Sequence, residues 1–209
     1  MCTVFGVGTD ASAMTLLRDR FDGRPFRVAE AMEAGVSRDT LSWLRKSGRL
    51  TAAGRGVLRF PDGGAGMLSE LATVSTRVPA GTICLNSALS FWDLSDEIPE
   101  TVHVAVPRGM RRPVISEPAT TVHVFDPGTF DLGRERARTD ADEPFWVYSA
   151  ERSIVDAMRM ARWVGRDVAL HALQRYLRRP GAEPALVAEI GRQLGASARI
   201  RPALETLLS

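Results

Sequence analysis

Residues 36–48 have the sequence VSRDTLSWLRKSG, which has the pattern of a short amphipathic helix with a residue suited to cap each end. Ser37 is placed to cap a helix, because a serine hydroxyl can accept a hydrogen bond from a backbone amide of the first turn. Val36, Leu41 and Leu44 then fall on one side, which predicts a buried face. Gly48 ends the run, since glycine tolerates the left-handed conformation that follows many helices. The other side carries polar residues, namely Arg38, Ser42, Arg45 and Lys46.

The flanking segments complete a pattern of helices and strands. Residues 28–34 predict a short helix that stops at Gly35. Residues 49–52 and 56–60 are two short extended runs joined through residues 53–55, which is typical of a β-hairpin. A helix, a tight turn, a second helix and a two-stranded wing together predict a winged helix-turn-helix.

Positive charge is concentrated in this module. Residues 38–59 contain six basic residues and one acidic residue, Asp39, whereas the whole chain of 209 residues carries a formal charge of only +2. A basic helix and wing suit a DNA backbone. The alternative is a solvated basic face on a helical module that binds protein. The predicted DNA-binding residues are Ser37, Arg38, Thr40, Ser42, Arg45, Lys46, Arg49, Arg55 and Arg59.

A glycine-rich joint follows the module. Residues 62–66 contain three glycines in five positions, which predicts a linker. We therefore expect two domains, a winged helix-turn-helix at residues 1–66 and a larger domain at residues 67–209.

The composition, 44% hydrophobic and 25% charged, is ordinary for a soluble globular protein. Cys2 and Cys84 match no metal-site spacing and no disulfide framework, which suits a reducing compartment. The start of the chain lacks a signal-peptide pattern, and no segment approaches the ~20 apolar residues that span a bilayer. We therefore expect a cytoplasmic protein with no membrane segment, no metal and no cofactor.

The larger domain mixes helical and strand patterns. Helices are predicted at residues 67–78 and 85–94, and strands at 101–106, 121–125 and 145–148. This order predicts an α+β protein whose C-terminal domain packs helices on a small, mainly antiparallel sheet. The strand pattern can set His103 and His123 side by side, which invites a metal or acid–base interpretation. Without a third ligand, a simple imidazole pair on the outer face of the sheet is the favoured interpretation.

The motif SAERSIVD at residues 149–156 opens the C-terminal helical part, which continues with amphipathic helices at 164–179, 185–194 and 197–208. Ser149 predicts an N-cap. Arg152 and Asp156 are four residues apart and can pair along the helix. Two interpretations stay open: an ion pair that fixes the helix against the sheet, or a contact for a partner protein.

Three motifs in this order resemble the AbiEi family of bacterial antitoxins. The family's wing is similar to SGRL at 47–50 together with GRGVLR at 54–59. A helix of the family's second domain is similar to NSALSFWDL at 86–94, and the start of a later helix is similar to SAERSIVD at 149–156. The chain departs from the family pattern at three positions. Leu58 stands where tyrosine is usual, Trp92 where histidine is common, and Ser153 where threonine is usual.

The resemblance implies two roles for the chain. The N-terminal module would bind promoter DNA of its own operon as a repressor, with a dimer as one arrangement. The C-terminal domain would neutralise a cognate toxin of the nucleotidyltransferase type, and Arg152 and Asp156 are the candidate toxin contacts. Three routes of neutralisation stay open, namely direct binding of the toxin, antagonism without a stable complex, and modification of the toxin.

Two other classes of function are the alternatives. One is a phosphotransferase that modifies the toxin, and the other is a regulator that senses a small ligand. The sequence shows no glycine-rich phosphate loop with lysine and no kinase-like base or metal segment, so we expect no catalytic residues.

Overall fold

The computed structural model describes residues 7–21, 24–61, 67–139 and 142–208. These residues form two compact units. The first contains the described residues up to Pro79 together with Arg138–Phe145, and the second contains Ala80–Ala137 and the chain from Trp146 onward. The predicted linker at 62–66 lies outside the described residues. The division into 1–66 and 67–209 therefore stays a prediction, although the helix Met67–Arg77 belongs to the first compact unit.

The first unit combines helices with a three-stranded antiparallel sheet of order β1-β3-β2. Its elements in chain order are α1 (Val7–Phe21), β1 (Phe26–Arg27), α2 (Val28–Glu33), α3 (Arg38–Lys46), β2 (Thr51–Gly54), β3 (Val57–Arg59) and α4 (Met67–Arg77).

Aromatic rings lie at the centre of the core of the first unit. The rings of Phe21 and Phe26 stack with their centroids 4.5 Å apart, and the ring of Phe60 lies 5.7 Å from that of Phe26. Leu41 and Leu44 of α3 are buried in the same cluster. Because these two leucines lie three positions apart, their burial fixes which face of α3 is turned to solvent.

The second unit builds a five-stranded sheet of order β6-β5-β4-β8-β7 and a set of helices. The described residues of Arg138–Phe145, which contain the end of β7 and the start of β8, are grouped with the first unit. The strands are β4 (Thr82–Ile83), β5 (Val102–Pro107), β6 (Thr120–Phe125), β7 (Arg134–Arg138) and β8 (Pro144–Tyr148). The helices are α5 (Leu85–Phe91), α6 (Ala150–Arg159), α7 (Ala161–Val164), α8 (Arg166–Leu177), α9 (Pro184–Gln193) and α10 (Ser197–Leu208), and a 3-10 turn lies at Pro127–Thr129.

The α+β class is confirmed, but the prediction of a mainly antiparallel sheet is wrong for the larger sheet, which is mixed. Strand β5 pairs with β6 in parallel, and β4 pairs with β8 in parallel, whereas β4 and β5 are antiparallel. Alternation of apolar residues indicates a strand with one buried face, but it carries no information on strand direction. The connection between β5 and β6, residues 108–119, is long enough for the crossover that a parallel pair needs.

Helix α6 is central to the core of the second unit, where it contacts α5, α8, α9 and α10. Its Ile154 and Val155 are fully buried and share a cluster with Tyr148 at the end of β8. Ser149 caps the helix by accepting a hydrogen bond from the amide of Arg152, as the sequence predicts. The cap therefore fixes where β8 ends and α6 begins.

Arg152 is buried inside this core, with 1% of its surface exposed. Its Nε donates to Asp156 Oδ2 over 2.7 Å. One terminal nitrogen donates to the carbonyls of Thr129 and Leu132, each over 2.8 Å. The guanidinium also lies over the ring of Tyr148, 4.4 Å from its centroid. These contacts tie the turn before β7 to helix α6.

The surroundings of Asp156 support a structural role for the pair. Its second oxygen accepts a hydrogen bond from Arg159 over 2.8 Å, so both carboxylate oxygens are engaged. Burial raises the pKa of Asp156, and Arg152 followed by Arg159 opposes that rise. Gly133, at φ +66°, passes so close that an added Cβ would lie 2.8 Å from Cβ of Arg152. In this conformation neither partner reaches the surface, and toxin contact through the pair stays an untested prediction.

The two histidines lie in neighbouring strands as expected, but the outer-face prediction is wrong. His103 Nδ1 and His123 Nε2 are 3.0 Å apart, and His123 is buried edge-to-face against Trp163 of α7, with ring centroids 6.0 Å apart. Burial, followed by the charges of His103 and Arg112, lowers the pKa of His123 to about 4. Burial also lowers the pKa of His103, so both rings are neutral at pH 7 and can share one N–H. No cluster of three metal-ligating side chains occurs among the described residues.

A double-mutant cycle tests the buried pair. We expect Arg152→Ala and Asp156→Ala each to lower the free energy of unfolding by about 3–5 kcal/mol, because each change removes the buried ion-pair partner of the charge that remains. The double variant should lose clearly less than the sum. The exposed pair Arg201 and Glu205 has the same spacing and is the control, with expected losses below about 1 kcal/mol by urea denaturation. Additive losses would contradict the coupling.

Candidate nucleic-acid interface

Helix α3 is set up by its cap and by two glycine turns. Ser37 Oγ accepts a hydrogen bond from the amide of Thr40 over 3.1 Å, and its hydroxyl lies 2.9 Å from Thr40 Oγ1. Gly35 precedes the helix at φ +98° and Gly48 follows it at φ +75°, which are backbone conformations that favour glycine. The Ser37 and Thr40 side chains are thus engaged with each other at the start of the helix.

The solvent face of α3 is polar and carries one large aromatic ring. With Leu41 and Leu44 buried, the opposite face is made of Asp39, Trp43 and Lys46, which are exposed, and the half-buried Ser42. These positions are three or four residues apart and so follow one side of the helix. This face can offer charge, hydrogen-bonding groups and apolar contact together.

The β2–β3 hairpin follows α3. Ala52 pairs with Leu58 and Gly54 pairs with Val57, with a bulge between the two pairs. Arg49 and Arg55 lie on either side of β2 and are exposed. The guanidinium of Arg49 lies 5.6 Å from the ring centre of Trp43, so the chain after α3 also contacts the helix.

Five of the six predicted cations are exposed on α3 and the hairpin. They are Arg38, Arg45, Lys46, Arg49 and Arg55. Within the part of the chain that the structure describes, none of the five forms an ion pair with an acidic side chain. Their charge is therefore directed to solvent, where an anionic partner can reach it.

The sixth cation, Arg59, is placed differently. Its guanidinium donates to Glu143 Oε1 over 3.1 Å and to the hydroxyl of Ser69. The side chain of Arg59 is 12% exposed and that of Glu143 is fully buried. Burial raises the pKa of Glu143, and Arg59 opposes the rise. Arg59 is thus a largely buried side chain that contacts Glu143 and Ser69 within the first unit, unlike the five exposed cations.

Sequence reasoning left Trp43 out of the site. Its side chain is 45% exposed on α3, although tryptophan is usually well buried. The sequence did contain a signal for Trp43, because this large aromatic residue falls on the polar side of an amphipathic helix. The prediction followed charge and hydrogen-bonding groups and so passed over an aromatic residue.

The N-terminal segment is similar to a family of transcriptional regulators. Residues 16–61 match the family model described as a transcriptional regulator, AbiEi antitoxin. The match confirms the resemblance drawn from the sequence and supports antitoxin and transcription-regulator roles. The type of toxin partner is not shown by it. The matched segment begins within α1 and ends just after β3, so it contains α3 and the hairpin.

A solved structure extends the likeness in fold. The crystal structure of the RV2827C protein from Mycobacterium tuberculosis aligns with a TM-score of 0.51 and 16% identity, over 96% of this chain and 82% of that one. At this identity the likeness concerns the fold alone. No curated protein matches the chain. Among the described residues, no helix has the length and apolar character needed to cross a membrane.

Arg59 and Arg55 should behave differently when truncated. Arg59→Ala leaves Glu143 buried without its cation, so we expect a loss of about 3–5 kcal/mol in unfolding free energy at pH 8. The loss should be smaller at pH 5. There the folded variant can bind a proton on Glu143, whose folded-state pKa is already raised. Arg55→Ala is the control and should change stability by less than about 0.5 kcal/mol. Equal losses in the two variants by urea denaturation would contradict these placements.

Proposed function

We propose that the protein is an antitoxin that represses its own operon by binding promoter DNA and that neutralises a nucleotidyltransferase-type toxin. In this proposal α2, α3 and the β2–β3 hairpin act as a winged helix-turn-helix. The observation that carries the proposal is the solvent face of α3, with its exposed cations, inside the segment that matches the regulator family. The protein acts in the cytoplasm, and a dimer on repeated half-sites is the expected arrangement.

DNA explains the charge pattern better than a protein partner does. A DNA backbone presents regularly spaced phosphates, and each cation that neutralises one of them releases a counterion. The exposed set extends from Arg38 at the start of α3 to Arg55 in the hairpin, as expected for a helix and wing that follow one backbone. A protein partner would need a matching acidic surface of the same extent.

Trp43 has a distinct role in this proposal. Phosphate contacts position a protein on DNA, whereas contacts to base edges read the sequence. Ser42 and Trp43 lie on the outer face of α3, where a recognition helix meets the major groove. The indole supplies apolar contact suited to thymine methyl groups. Trp43 therefore contributes to sequence preference, and Arg45, Lys46 and Arg55 contribute to general affinity.

Salt titration tests the division between these residues. With five cations on phosphates, the slope of log affinity against log salt should reach about −4.5, and Arg45→Ala or Arg55→Ala should each weaken it by about 0.9. Trp43→Ala should leave the slope unchanged and lower the preference for the upstream sequence over a scrambled duplex. Fluorescence anisotropy with a labelled duplex of the upstream region measures both quantities.

Arg178→Ala is the matched control, because Arg178 is an exposed arginine at the end of α8 in the second unit. It should bind DNA like the wild type at every salt concentration. No binding of the wild-type protein to its upstream region at low salt would overturn the repressor role.

A further inference from the structure

The helices of the second unit leave an apolar groove open to solvent. The groove has a volume of about 810 Å³ and runs along α8 and α10, with the ends of α6 and α7 beside it. Met158, Leu170 and Leu207 supply apolar walls, and Arg166 and Arg199 also line the groove. A groove of this size is comparable to the sites that hold ligands or partner side chains.

The groove is open because several of the side chains that line it are small. Ala161, Ala198 and Ala203 line it where larger residues would close the space between the helices. Pro202 of α10 also lies in the lining and has no backbone N–H, so the helical hydrogen bond to the carbonyl of Ala198 is not made. The groove is thus a product of short side chains on well-formed helices.

The two arginines of the groove differ from Arg175 of α8 and Arg192 of α9, which are paired with carboxylates. Arg175 pairs with Asp93 and Asp96, and Arg192 pairs with Glu189. Arg166 and Arg199 are exposed and make no ion pair among the described residues, and the groove lining contains no carboxylate. The apolar groove is therefore lined by two cations without ion pairs among the described residues, and His171 also lines it.

We propose that this groove is the docking site for the toxin, which would insert an amphipathic helix with apolar anchors and acidic flanks. The proposal rests on the proposed antitoxin function and names the surface that performs it. An apolar groove between helices accepts the apolar face of another helix, with anchors spaced three or four residues apart. Carboxylates on the flanks of that helix would pair with Arg166 and Arg199. This charge complementarity selects an acidic partner over a basic one.

The apolar walls argue against nucleic acid as the occupant. Phosphate backbones bind to open cationic surfaces, whereas the cations here stand beside Met158, Leu170 and Leu207. The groove lining does not include Arg152 or Asp156, whose side chains are buried. The antitoxin surface is thus assigned to exposed residues of α8 and α10.

Charge reversal and groove filling test the assignment in the full-length protein. The probe is the purified toxin encoded beside this gene, and the measurement is isothermal titration calorimetry. We expect the double variant R166E/R199E to weaken toxin binding by at least about tenfold, since each change places a like charge opposite an acidic flank. Ala198→Trp should weaken binding similarly by occupying the groove. Arg178→Glu, an exposed arginine outside this groove, is the control and should stay within about twofold of the wild type.

The outcomes separate the groove from the antitoxin role. All substituted side chains are exposed, so melting temperatures near the wild-type value should accompany the loss of binding. Two results would overturn the groove proposal while the antitoxin role stands, provided that the wild type rescues growth. In the first, R166E/R199E and A198W bind the toxin as the wild type does. In the second, the wild type forms no complex with the toxin. If an apolar carboxylate co-purifies in the groove and the toxin does not displace it, the groove proposal is also overturned. If the wild type neither binds the toxin nor rescues growth, both proposals fail.

Discussion

The second unit depends on a buried guanidinium. Removing a charge from water costs several kcal/mol unless hydrogen bonds replace the lost hydration, so Arg152 must be surrounded by acceptors. It finds Asp156 on its own helix and the carbonyls of Thr129 and Leu132 in the turn before β7. Gly133 allows the close approach of that turn. One side chain thereby fixes α6, the turn and the ring of Tyr148 together. Part of the motif SAERSIVD, which carries part of the family resemblance, therefore has a role in the core of the second unit.

The first unit uses the same chemistry to divide its cations into two groups. Arg59 is held inside by Glu143 and Ser69, whereas the cations of α3 and the hairpin remain in solvent without ion pairs among the described residues. The burial of Leu41 and Leu44 orients α3 and leaves Lys46 and Trp43 on the outer face. The exposed cations are thus open to an anionic partner, whereas Arg59 is engaged inside the first unit.

Local features of this structure were predictable and long-range features were not. The Ser37 cap, the Gly48 turn and the face of α3 follow from neighbouring residues, and the structure confirms them. The pairing of Arg59 with Glu143 joins positions 84 residues apart, and no local pattern encodes it.

Strand direction in the larger sheet was also missed, since alternation is identical in parallel and antiparallel strands. The two-residue strands β1 and β4 are too short to show any period. The open groove was missed because alanine, like that at position 198, is unremarkable in a helix until its neighbours are known.

In the proposed function one chain carries two separable activities, repression through α3 with its hairpin and neutralisation through the second unit. The most direct measurement is colony formation by cells that express the toxin together with the triple variant R45A/K46A/R55A, with a promoter–reporter fusion read in the same cells. We expect full rescue of growth and loss of repression, because all three side chains are exposed and lie in the first unit. Loss of rescue by a triple variant that folds like the wild type, or repression that persists, would contradict it.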